Sequence, residues 1–177
     1  MAPHELVDRV VALVPGAAPA PADLVRGQAV VVVPRDAIAA AFPVLRDHAD
    51  LRFDFLADVT CVDWLGRTPR FEVVYQLVSL PLRHRLRVKV PVGEDDPVVP
   101  SATGTWAAAN WAEREAWDMF GVRFAGHPDL RRILMYASFE GHPLRKDYQL
   151  DRRQPLVPER EPLDHPWFPR TGNEHRG

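Results

Sequence analysis

Residues 53 to 92 read F-D-F-L-A-D-V-T-C-V-D-W-L-G-R-T-P-R-F-E-V-V-Y-Q-L-V-S-L-P-L-R-H-R-L-R-V-K-V-P-V. Three runs in this stretch alternate with the two-residue period of a β-strand. In Phe53 to Val62, Phe53, Phe55, Ala57, Val59 and Cys61 share one face, and Asp54, Asp58 and Thr60 the other. In Phe71 to Leu80, Phe71, Val73, Tyr75 and Leu77 alternate against Glu72 and Gln76. In His84 to Val92, Leu86, Val88 and Val90 point inward while Arg85, Arg87 and Lys89 point outward. Alternation this clean belongs to a sheet with one wet face, which predicts antiparallel pairing. The connections, Leu65 to Pro69 around Gly66 and Pro81 to Arg83, are short enough for hairpins.

Upstream, Leu6, Val10, Leu13 and Val14 lie at helical spacing, so residues 3 to 14 read as an amphipathic helix. A Pro/Ala linker from Gly16 to Ala22 follows. Gln28 to Val33 is a β-branched run stopped by Pro34, read as a buried strand. Asp36 opens a helix to about Ala49, with a kink or break expected at Pro43. Downstream, after the acidic and Pro-rich stretch from Gly93 to Pro100, Ser101 or Thr103 is placed to cap a helix running to Phe120, with Gly121 as its left-handed stop. The order predicts an α+β fold, helices packed on one face of a mixed or antiparallel sheet, over residues 1 to 92. A helix and rigid turns occupy 93 to 150, and 151 to 177 reads as an extended or disordered Pro-rich tail.

The chain has 177 residues, room for one domain and an arm. A net charge of −2 argues against a general nucleic-acid binder. The single cysteine, Cys61, rules out an internal disulfide and any all-cysteine metal or iron–sulfur site within the chain. Glu5 and Asp8 stand where a secretory signal carries positive charge. The longest apolar run, Ala29 to Val33, falls far short of the roughly 20 residues a membrane helix needs. Membrane association is therefore expected only through a partner.

The densest chemistry lies between Asn110 and Leu150. The helix carries Glu113, Arg114, Glu115 and Asp118, with Trp106, Ala109, Glu113, Trp117 and Phe120 on one stripe and Ala108, Ala112, Glu115 and Met119 on the next. Whichever stripe faces the core takes a carboxylate inward, which is costly without an Arg, Lys or backbone donor beside it. Two Gly-His-Pro turns follow, at Gly126 and Gly141, each leading to a basic pair: Arg131 and Arg132, then Arg145 and Lys146. Three readings compete. An active site would use Glu113, Glu115 and Asp118 with His127 or His142 as acid and base, but no nucleophile stands in a strained turn. A metal site would need closer ligand spacing than two histidines 15 residues apart in separate turns. The remaining reading is structural: charged pairs fix how the helix, the turns and a neighbouring chain dock. Basic pairs on rigid turns would also suit phosphate contacts, but Asp129, Glu140 and Asp147 dilute the patch.

Glu113 to Gly121 (E-R-E-A-W-D-M-F-G), Gly126 to Leu134 (G-H-P-D-L-R-R-I-L) and Gly141 to Tyr148 (G-H-P-L-R-K-D-Y) resemble the signature of the 30-kilodalton subunit family of respiratory complex I, in bacteria the C subunit of NADH-quinone oxidoreductase. Asp58 to Asp63, Phe71 to Tyr75 and Val99 to Ser101 also fit the pattern, so the resemblance covers about residues 28 to 150. Gln149 stands where the family usually has Pro, and Trp117 where Tyr is common. The resemblance implies a scaffold subunit of the peripheral arm, on the cytoplasmic side of the bacterial inner membrane, with no catalytic, cofactor or metal residues of its own. FMN and iron–sulfur clusters would sit on partner subunits. The implied partners are the 49-kilodalton subunit and the small iron–sulfur subunit near the quinone site. Glu113, Arg114, Glu115, Asp118, His127, Asp129, Arg131, Arg132, His142, Arg145, Lys146 and Asp147 would form the docking surface. Related subunits of membrane-bound hydrogenase and F420H2-oxidising complexes, or a free-standing binding module, are the alternatives.

Overall fold

The computed structural model describes residues 1 to 21 and 27 to 156. The tail expectation for residues 157 to 177 lies outside that range, as does the end of the Pro/Ala linker. Helix α1 spans Pro3–Leu13, strand β1 Ala18–Pro19, β2 Ala29–Val32 and helix α2 Ile38–Asp47. Strands β3, Phe55–Asp63, β4, Phe71–Ser79, and β5, His84–Val92, follow. Then come β6, Val98–Pro100, helix α3, Ala109–Phe120, and β7, Arg123–Ala125.

The main sheet has the order β1-β2-β5-β4-β3. The three runs of residues 53 to 92 do pair antiparallel in sequence order, but β2 adds parallel to β5. Parallel neighbours need a crossover, and here α2, β3 and β4 all intervene. Strand β1 forms inside the stretch read as a linker and pairs antiparallel with the edge of β2. Two further short strands, β6 and β7, pair parallel in a separate ribbon. Neither shows enough alternation in three residues to be legible beforehand.

Residues of the three described helices pack with the inward residues of β3, β4 and β5 in one cluster: Leu6 and Val10, Ile38, Phe42 and Leu45, Ala109 and Ala116, against Val59, Val73, Tyr75, Val88 and Val90. Val99, Trp106, Val122 and Phe124 join it, so residues on both sides of Val92 share one core. Helix α2 runs through Pro43 without ending there. The opposite sheet face mixes apolar residues such as Val30 and Val74 with charged ones, and there Lys89 Nζ donates to Glu72 Oε1 at 2.8 Å.

Two local readings are corrected. A register shift between Leu56 and Asp58 places an extra residue in β3. A bulge of this kind reverses which parity faces inward, so Leu56 is buried and Phe55, expected inside, is 48% exposed. Helix α3 begins at Ala109 rather than Thr103, with Ala108 as N-cap and no side-chain cap. Residues 101 to 108 form turns that carry Trp106 into the core, where its indole N–H donates to the Phe53 carbonyl at 2.8 Å. Gly121, at φ 79°, ends the helix as read.

Candidate functional site

An α-helix leaves its last four carbonyls without partners. In α3 the residues after it supply all four. The Gly121 N–H donates to the Trp117 carbonyl at 2.8 Å and the Leu144 N–H to Met119 at 3.0 Å. His142 Nδ1 donates to the Asp118 carbonyl at 2.9 Å, and Arg145 Nε donates to that of Phe120. The second Gly-His-Pro turn is thus a cap on the helix, with a cation at the negative end of its dipole. Burial lowers the His142 pKa below the ordinary imidazole value, which keeps the ring neutral beside Arg145 and Arg132.

The irregular strap between the two turns is organised by Asp118. Its carboxylate is fully buried. One oxygen accepts the backbone N–H groups of Ile133, Leu134 and Met135 at 3.0, 2.9 and 2.9 Å, and the other accepts Arg132 Nη1. Burial raises the carboxyl pKa, but the Met135 N–H, Arg132 and the neighbouring N–H groups outweigh it and hold the group below the usual range. Arg132 also donates to the carbonyls of Phe139 and Gly141 at 2.9 and 3.0 Å. Arg114, one helical turn back, donates to the carbonyls of Arg131 and Arg132, both at 3.1 Å.

The strap's far end is clasped to the sheet by a residue that the sequence pattern does not single out. Arg70, 4% exposed, follows the turn at the start of β4. Its Nε and Nη2 donate to the two oxygens of buried Asp63 at 2.9 and 2.8 Å. Nη2 and Nη1 reach both oxygens of Asp147 at 2.7 and 3.0 Å, and Nη1 reaches Glu94. All five guanidinium donors are therefore engaged. Hydrogen bonds to Asp63 and Asp147 raise the Arg70 pKa, and Arg70 in turn lowers those of both carboxyls. The Lys146 N–H adds a bond to Asp63 at 2.8 Å. Nothing local in the sequence pairs Asp63 with residue 147.

Glu113 is the inward carboxylate expected of the helix, and it is fully buried. Its donors are not the downstream bases. The Ser101 hydroxyl and the Ala102 N–H each donate to it at 2.6 Å. Burial pushes its pKa up to about 7 against these two bonds. Glu115, on the neighbouring stripe, is exposed.

His127 behaves as a turn residue. Its Nε2 donates to the Asn110 carbonyl at 3.0 Å while Nδ1 accepts the Asp129 N–H at 3.0 Å, leaving neither nitrogen to bind a metal. Asp129 pairs with Arg131 on the surface. No group of three or more potential metal ligands comes together among the described residues. Cys61 is buried, and that burial pushes its thiol up to about 12, so it presents no thiolate. Of the twelve residues read as a surface, the structure turns Glu113, Arg114, Asp118, His127, Arg132, His142 and Arg145 onto the chain itself, and Asp147 onto Arg70.

Residues 31 to 154 match the family model described as "Respiratory-chain NADH dehydrogenase, 30 Kd subunit". The chain belongs to this family. It is 51% identical over 141 residues to the NADH-quinone oxidoreductase C 2 subunit of Rhizobium etli, covering 77% of this chain and 75% of that protein. It is 52% identical over 137 residues to the corresponding C subunit of Citrifermentans bemidjiense, covering 77% and 81%. Among solved structures, the trypsin-resistant fragment of Nqo5 superposes with a TM-score of 0.59 at 35% identity, covering 73% of this chain and all of the fragment. A chain of an archaeal membrane-bound sulfane sulfur reductase, at 24% identity and a TM-score of 0.66 over 83% of this chain and 85% of its own, shares the fold. The three longest stretches that carry the resemblance, residues 113–121, 126–134 and 141–148, lie on the capped helix, its strap and the second turn.

Proposed function

We propose that the chain is a non-catalytic structural subunit of the peripheral arm of a proton-translocating NADH-quinone oxidoreductase. Electrons would pass from NADH through FMN and iron–sulfur centres on partner subunits to quinone. One observation carries this reading within the family. The signature's buried charges hold an irregular strap rigid against α3, while its other side chains face outward: Glu115, Arg131 and Lys146, with Leu134, Leu144 and Leu150 at 55, 53 and 96% exposure. A rigid surface mixing apolar and charged groups suits protein docking. We assign it to the 49-kilodalton and small iron–sulfur subunits. The other peripheral-arm subunits and the cytoplasmic side of the bacterial inner membrane follow from the same assignment. No described helix is long and apolar enough to cross a membrane, so attachment would run through those partners.

Tagging the chain and purifying it from its native membrane is expected to bring the hydrophilic subunits with it. Recovery solely as a lone monomer would overturn the assignment. Glu115→Gln, altering an outward group, and Arg145→Ala, uncapping α3, are both expected to lower the amount of assembled complex. Turnover per assembled complex should stay unchanged. Normal complex levels without turnover would instead mark a catalytic role.

A further inference from the structure

Glu113 is a buried carboxylate with no cation against it among the described residues, and its surroundings are built from hydroxyls. Ser101 Oγ lies 2.6 Å from Glu113 Oε2 and 2.8 Å from Thr103 Oγ1, and it accepts the Thr103 N–H at 3.1 Å. The loop is anchored on both sides, by the Ser101 N–H to the Ala125 carbonyl at 2.8 Å and the Ala102 N–H to Glu113 Oε1. A serine oxygen accepts two hydrogen bonds and donates one.

Counted that way, the cluster is complete in two protonation states. With Glu113 ionised, Thr103 Oγ1–H donates to Ser101, whose hydroxyl donates to the carboxylate. With Glu113 neutral, its O–H donates to Ser101 Oγ, whose hydroxyl donates to Thr103 Oγ1. In both states Ser101 keeps the Thr103 N–H, Ala102 keeps its acceptor, and none of the cluster's own polar groups is orphaned. We propose that Glu113 is a proton-binding site of the folded protein, filled and emptied through the Ser101 and Thr103 hydroxyls. On uptake, half-buried Thr103 takes a proton from solvent as its own passes to Ser101, and that of Ser101 passes to Glu113 Oε2. Release runs the same steps backward. The sum is one proton gained or lost at the carboxylate.

The groups around the site do not supply a competing charge. From β4, Tyr75 is buried, its hydroxyl has no partner among the described residues, and burial raises its pKa. From β3, Cys61 stays protonated for the same reason. From α2, Arg46 pairs with Asp47 and donates to the Thr105 carbonyl at 2.9 Å. On α3 itself, Arg114 turns to the strap, Asp118 is held by Arg132, and Glu115 is exposed. Arg123 of β7 is also exposed. Desolvation then governs the carboxyl and puts its titration at about 7.

The test is a pH titration, from about 4 to 9, of the full chain labelled with side-chain 13Cδ glutamate, a range spanning ordinary and buried carboxyls. One glutamate is expected to titrate near 7, to vanish in Glu113→Gln, and to shift to a higher midpoint in Ser101→Ala, which removes a donor to the anion. Thr103→Val is expected to slow exchange and split the averaged resonance into two. All glutamates titrating below about 5.5, or one that never changes state, would overturn the site. An unsplit line with an unchanged midpoint in Thr103→Val would overturn the hydroxyl route. Should Glu113→Gln fail to fold, the wild-type protonated-carboxyl infrared band, read against pH in the same range, decides the first question alone.

Discussion

Asp118 is the residue on which the strap depends most. Its carboxylate neutralises Arg132 and accepts three consecutive backbone N–H groups. Asp118→Ala would strand a partly buried guanidinium and three donors, and losing one partner of such a pair costs about 3–5 kcal/mol. Urea unfolding of the full chain should show a loss of that size. Asp118→Asn, which keeps an acceptor, should lose less. Glu113 carries the opposite pH signature. Its folded pKa is raised, so the folded state binds more protons than the unfolded state between about 4.5 and about 7. Its contribution to stability is therefore greatest below the unfolded value, declines as pH rises through that window, and is flat above it. The expected decline is on the order of 3 kcal/mol. The difference in unfolding free energy between wild type and Glu113→Gln, measured from pH 4 to 8, should display this slope. A difference independent of pH would contradict it.

At the scale of elements, the close fit between α3 and its strap is set at Gly121. Its φ of 79° favours glycine, and an added Cβ would lie 2.6 Å from Arg145 Nη2 and from the His142 ring. Gly121→Ala should cost roughly 2 kcal/mol or more, combining the left-handed penalty with displacement of the cap. Faster amide exchange at residue 144 would report that the strap had loosened. The clasp makes a second element-level case. Arg70→Met leaves Asp63 buried and unpaired, for a loss of about 3–5 kcal/mol by unfolding. Arg70→Lys should recover only part of it, because three donors on one nitrogen cannot reproduce the planar fork that holds Asp63 and Asp147 together. The helix stop at Gly121 was legible because it is a local, steric requirement. Arg70 was not, since its partners at 63 and 147 become neighbours only when the strap returns to the sheet.

For the whole molecule, the shared cluster has a testable consequence. Trp106 and Phe124 pack with Val59, Tyr75 and α2, and the Trp106 indole is tied to Phe53. Residues 1 to 92 and 93 to 125 should therefore unfold as one cooperative unit. Tryptophan fluorescence and far-ultraviolet circular dichroism should give coincident transitions; two separated transitions would show that the segment after Val92 melts alone. The last described residues extend this body. Gln154 and Arg152 bind Glu140, Gln154 binds Tyr148, and the Tyr136 hydroxyl donates to the Pro155 carbonyl at 3.0 Å. The stretch just past Leu150, expected to be extended or disordered, is irregular and held to the strap through residue 155.

The sequence by itself determined the three antiparallel strands, the α+β class, the helix stop and the 30-kilodalton signature. These rest on periodicity, turn residues and spacing, which act between near neighbours. Only the tertiary structure decided that β2 lies parallel beside β5, that a bulge turns Phe55 outward and Leu56 inward, and that the N-cap of α3 is Ala108 rather than Ser101 or Thr103. It also decided the destination of each charge. Arg70 meets Asp147 across 77 positions, while Glu113 is satisfied by hydroxyl and backbone donors rather than the basic pairs downstream. A buried charge needs a donor within hydrogen-bond reach, and which donor stands there is set by how distant segments pack.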